Sequence, residues 1–100
     1  MYLKLCDIND VPESGMKQFD LRDNEYLVIN LKGRFFCLDG RCTHAGAPLA
    51  EGTIKGNVLT CPWHYSQFSI GDGSVVSGPA KNPLISYKYI IKNGQLMIEF

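Results

Sequence analysis

The chain has 100 residues, a length that suits one domain with a single modest core. Its 10 Lys and Arg balance its 10 Asp and Glu, so the formal net charge at pH 7 is zero. That excludes the clustered cationic excess of a nucleic-acid footprint and gives no electrostatic pull toward anionic membrane. No apolar run approaches the length of a bilayer span.

In chain order the elements read as strands and turns. Residues 2–6 form a short strand, and residues 7–12 a turn or one short helical turn. Residues 17–21 and 25–31 are rich in strand formers and are parted by Arg22-Asp23-Asn24. Lys32-Gly33 is a tight turn into a third strand at 34–38, which Asp39-Gly40 closes. From residue 40 the chain becomes loop-rich. Two loops, 42–48 and 61–66, flank a short extended stretch at 53–60. Residues 67–70 form another strand, Gly71-Asp72-Gly73 a turn, and 77–80 a third loop.

The C-terminal segments 84–92 and 95–100 form a hairpin around Asn93-Gly94, a dipeptide that favours the type I′ turn. A two-residue loop pairs Lys92 with Gln95. The register then sets Ile91 against Leu96, Tyr89 against Ile98 and Tyr87 against Phe100 on one apolar face. Lys88 stands opposite Glu99 on the other. The chain is therefore all-β, an outer set of strands with an inserted loop-rich lobe.

Cys6 and Cys37 fall on strands, where a free cysteine packs as a small hydrophobe. Residues 1–10 have no basic start, no long apolar middle and no small-residue cleavage site. Export and a disulfide scaffold are not expected, and the chain reads as soluble and cytoplasmic.

The other two cysteines stand beside the chain's 2 histidines. Cys42-Thr43-His44 is followed, further along the chain, by Cys61-Pro62-Trp63-His64, so two loops each offer a thiolate and an imidazole. Such a donor set suits zinc or an iron–sulfur centre. In structural zinc sites the paired ligands usually have two to four residues between them. Cys42 and His44 are separated by Thr43 alone, which is cramped for one tetrahedral ion. The strain disappears if the two go to different metals, with Cys42 and Cys61 on one iron and His44 and His64 on the other.

These stretches, Cys-Thr-His-Ala-Gly-Ala-Pro-Leu at 42–49, Cys-Pro-Trp-His-Tyr-Ser-Gln-Phe at 61–68 and Ser-Gly-Pro-Ala at 77–80, resemble the Rieske family. Within it the chain is most similar to the small Rieske-type ferredoxins that carry electrons for ring-hydroxylating oxygenases. The resemblance implies three antiparallel sheets in a single domain, a base and a cluster-binding lobe at about 40–74. It implies one [2Fe–2S] cluster held by Cys42, His44, Cys61 and His64, with both imidazole rings toward solvent. It places Pro79 in a loop over the cluster and has Ser66 donate a hydrogen bond to a cluster sulfur. Trp63 and Tyr65 would either dock a partner or cap the cluster against water. The extra cysteines of the cytochrome bc relatives are replaced by Ala47 and Trp63, so their disulfide cannot form here. Their tyrosine hydroxyl is replaced by Phe68. The usual glycine after the second histidine is Tyr65, which counts against this position needing glycine's backbone freedom.

No catalysis is expected in this chain. Both histidines are committed, leaving none for an open oxygenase iron, and there is no Gly-x-Gly-x-x-Gly fingerprint. A separate reductase as donor, and an oxygenase or other redox protein as acceptor, are implied. Two other readings stand beside this one: a non-catalytic Rieske subunit of a larger redox enzyme such as a nitrite reductase, and a structural zinc module for protein interaction.

Overall fold

The computed structural model describes residues 1–43, 45–63 and 65–99. Among these residues ten strands make three antiparallel sheets. β1 (Tyr2–Asp7), β10 (Gln95–Glu99) and β9 (Tyr89–Lys92) form the first, in the order β1-β10-β9. β2 (Gly15–Leu21), β3 (Asn24–Leu31) and β4 (Arg34–Asp39) form the second, in sequence order. β5 (Thr53–Lys55), β6 (Val58–Thr60), β7 (Gln67–Ser69) and β8 (Val75–Ser77) form the third, also in sequence order. The all-β, three-sheet expectation is met. Two short 3-10 turns, Ile8–Asp10 and Leu49–Glu51, are the helical segments among the described residues. None is long and apolar enough to cross a membrane.

The middle sheet is the spine. Successive side chains on a strand point to opposite faces. Accordingly, Tyr26 and Val28 of β3 enter one buried cluster with Cys6, Cys37, Leu96 and Ile98. Leu27 and Ile29 enter another with Leu38, Leu49, Leu59, Phe68 and Ile70. A strand buried on both faces reads as a continuous apolar run, as this one does over Tyr26-Leu27-Val28-Ile29. The core is therefore double and not the single one that length suggested, because the central sheet packs a sheet against each side. Burial pushes the thiols of Cys6 and Cys37 up to about 11 and about 12, so both stay neutral core groups, as their strand positions implied.

Turn chemistry sets the hairpins. Lys32 and Gly33 both take positive φ (54° and 90°), as do Asn93 and Gly94 (52° and 75°), the signature of type I′. The register is the expected one: Lys92 pairs with Gln95, Ile91 with Leu96 and Tyr89 with Ile98, and the Glu99 N–H donates to the Lys88 carbonyl at 3.2 Å. The expected Tyr87–Phe100 pair lies outside the described residues. A Cβ at Gly94 would meet nothing within 4 Å. Gly94→Ala is thus expected to cost only the left-handed backbone penalty, about 1–2 kcal/mol. A chemical-denaturation midpoint measures it.

Three expectations need correction. The stretch 53–60 is not one extended segment but a hairpin, pairing Thr53 with Thr60 and Lys55 with Val58. Gly56 turns it at φ 58°, the first-position glycine of a type II′ turn. Ser77, expected in the third loop, instead ends strand β8 and pairs with Gln67, while Val75 pairs with Phe68. Residues 84–88 do not extend β9. The Asp39 carboxylate draws this segment to the end of β4, accepting the Ile85 N–H at 2.8 Å and the Tyr87 hydroxyl at 2.7 Å. The Tyr87 N–H then donates to the Cys37 carbonyl at 2.8 Å.

Candidate metal centre

Two loops at one end of the four-stranded sheet carry the candidate ligands. The first leaves β4 through Gly40 and Arg41, and the second leaves β6 directly into Cys61. They close in the same way. The Cys42 N–H donates to the Ala47 carbonyl at 2.9 Å, and the Cys61 N–H to the Ser66 carbonyl at 2.8 Å. In each loop the residue just before that acceptor is left-handed: Gly46 at φ 70° and Tyr65 at φ 59°. The position after the second histidine therefore does take the conformation glycine favours, contrary to the expectation from sequence. The loop closure demands it, and the tyrosine bears the cost.

Tyr65 is 75% exposed, so little packing holds its ring. Tyr65→Gly is expected to raise stability by about 0.5–1 kcal/mol, the left-handed strain relieved less the extra chain entropy of glycine. Denaturation midpoints of the two proteins read this out; a less stable glycine variant would mean that the ring is held by contacts.

Cys42 and Cys61 are buried, are not disulfide-bonded, and belong to the same core cluster, where their side chains meet. Burial pushes the Cys61 thiol above its ordinary range. The Trp63 amide N–H toward its sulfur opposes this, and the adjoining Cys42 side chain raises it again. Two soft donors thus sit side by side in an apolar setting, with a backbone N–H aimed at one sulfur. A bare Cys61 thiolate is disfavoured there, but the pair of sulfurs fits donors whose negative charge a metal neutralises. The residues present fit a cluster with two cysteine ligands on one iron. The rings of His44 and His64, expected to face solvent, lie outside the described residues.

The third loop and the residues just after it, as far as Asn82, bind the other two loops. The Ala80 N–H donates to the buried Ser66 hydroxyl oxygen at 3.0 Å, which leaves that hydroxyl's own proton free to donate elsewhere. Gly78, at φ 93°, lies so close to the second loop that a Cβ there would stand 2.6 Å from the Ser66 Cα. The Thr43 hydroxyl donates to the Asn82 carbonyl at 2.6 Å. Pro79 is exposed, and Trp63 is half exposed. Phe68 is fully buried opposite Leu59 and offers no hydroxyl.

Sequence reading missed the partners of the first loop. The Arg41 guanidinium grips the Glu25 carboxylate through Nε and Nη2, and donates from Nη1 to the Gly46 carbonyl at 3.1 Å. Arg41 adjoins Cys42 in the chain, which is a signal of a kind; nothing near Glu25 marks it.

A family model described as the Rieske [2Fe–2S] domain matches residues 1–88. The ferredoxin component of the alkene monooxygenase system of Xanthobacter autotrophicus is 33% identical over 97% of this chain and 80% of its own length. The Sphingomonas yanoikuyae B1 ferredoxin superposes with a TM-score of 0.94 at 28% identity, covering 100% of this chain and 99% of its own. A chain in the solved complex of reduced oxygenase and oxidized ferredoxin in carbazole 1,9a-dioxygenase gives 0.89 at 28% identity, covering 97% and 91%.

Proposed function

Because the chain belongs to the Rieske [2Fe–2S] family, we propose that it is the one-electron carrier of a multi-component oxygenase system, taking electrons from a reductase and delivering them to the oxygenase. It carries one [2Fe–2S] cluster. When bound, that cluster takes up and releases a single electron.

What carries the ligand assignment is the meeting of the buried Cys42 and Cys61 side chains between two loops of matching closure. Cys42 and Cys61 supply thiolates to one iron, and His44 and His64 supply neutral imidazoles to the other. The Ser66 hydroxyl, its oxygen already accepting from Ala80, directs its proton toward the sulfur atoms. Pro79 and Trp63 flank the centre and limit water. The cluster-binding lobe is residues 40–74 of a single domain that works in the cytoplasm. The chain itself performs no catalysis, because no histidine is left for a second, open iron site.

Metal and sulfide analysis tests this reading. Purified protein is expected to hold about two irons and two acid-labile sulfides per chain and to absorb visible light. Stoichiometric zinc in a colourless protein overturns it.

A further inference from the structure

The described residues at the apex of the first loop bury little, and the Thr43 hydroxyl ties one of them to the Asn82 carbonyl at 2.6 Å. Thr43, Ala45 and Gly46 are exposed, and a Cβ at Gly46 would meet nothing within 4 Å. A segment with few buried contacts opens locally unless polar ties hold it. The base of the loop is fixed through Glu25: the Gly40 N–H donates to its carbonyl at 3.0 Å, and Gly40 lies so close that a Cβ would stand 3.1 Å from that carbonyl. This approach sets Arg41 beside the Glu25 side chain. One guanidinium then joins two parts of the molecule. Its Nε and Nη2 face the Glu25 carboxylate, the latter at 3.2 Å, and its Nη1 reaches the Gly46 carbonyl at 3.1 Å.

We infer that Arg41, oriented by Glu25, is a positioning residue for the cluster, holding the loop that bears Cys42 and His44 in the geometry the iron requires. The inference rests on the ligand assignment above. The planar fork explains why arginine serves here: it pairs bidentately with a carboxylate and still has a donor for the carbonyl, whereas a lysine ammonium is a single point charge. An exposed ion pair contributes little to global stability, so its role is local. Groups that orient metal ligands commonly change metal retention about 10–100-fold when removed.

The test compares holoprotein of wild type, Arg41→Gln, Arg41→Lys and Glu25→Gln for iron release to a chelator, visible circular dichroism of the cluster and thermal midpoint. Arg41→Gln and Arg41→Lys are expected to release iron about 10-fold faster or more, with an altered cluster spectrum and a nearly unchanged midpoint. Glu25→Gln is expected to follow in the same direction, and Arg41→Gln/Glu25→Gln together to be no worse than Arg41→Gln alone. Wild-type release and spectrum in either arginine variant overturns the proposal. If Arg41→Gln fails to fold, Arg41→Lys and Glu25→Gln decide it alone. Zinc in the wild-type protein instead overturns the ligand assignment itself, so the two failures are distinct.

Discussion

Cys42→Ser and Cys61→Ser are each expected to yield protein with essentially no iron or labile sulfide, while Cys37→Ser retains the wild-type content. Serine keeps the shape of cysteine but replaces a soft, readily ionised sulfur with a hard hydroxyl that does not bind iron as a thiolate does. The comparison works because burial is matched. Cys61 is 0% exposed and Cys37 1%, so each serine places a hydroxyl in a core, at about 1–3 kcal/mol. Only Cys61 lies in the cluster that also holds Cys42; Cys37 packs on the opposite face of the middle sheet. Loss of iron from the Cys37 variant would show that any core damage empties the site. Iron retained in the Cys61 variant would remove that residue from the ligand set.

Much of this architecture is readable from local chemistry. The Lys32-Gly33 and Asn93-Gly94 dipeptides give their turns, and the alternating faces of 95–99 give the C-terminal register. The apolar run of β3 marks a strand with two buried faces, though the reading from length allowed only one core. The Gly56-Asn57 hairpin had a usable signal, a glycine-led two-residue turn between short strand-forming runs, but each arm has only three residues. The candidate-ligand motif is likewise local, a cysteine and a histidine in each of two short loops. What the sequence does not reveal depends on contacts between distant segments. Residues 84–88 look like a continuation of β9 until Asp39 claims their hydrogen bonds. The left-handed backbone of Tyr65 follows from the Cys61–Ser66 closure and not from the preference of tyrosine. The Glu25–Arg41 pair and the docking of the third loop join residues 14 to 39 positions apart in the chain, with no pattern in either partner.

Gly78→Ala is expected to do more damage than Gly94→Ala, and to do it at the centre. Both glycines have positive φ, so both substitutions carry a left-handed penalty of about 1–2 kcal/mol. At Gly94 that is the whole effect, since the Cβ enters open space. At Gly78 the Cβ would stand 2.6 Å from the Ser66 Cα and 3.1 Å from the Tyr65 carbonyl oxygen. Both are backbone atoms of a loop closed by its own hydrogen bond, so neither can swing aside as a side chain would. The third loop must retreat instead. That retreat pulls the Ala80 N–H from the Ser66 hydroxyl, leaving a buried oxygen without its donor, at a further cost of about 1–3 kcal/mol. The sum is about 2–5 kcal/mol, against about 1–2 for Gly94→Ala. The loosened loop should also expose the centre, so the Gly78 variant is expected to lose its visible absorbance to a chelator or in air faster than wild type, while the Gly94 variant keeps the wild-type rate. Denaturation midpoints and bleaching rates on the two proteins supply both readings. Equal stability losses with equal bleaching would mean that the third loop does not bear on the site.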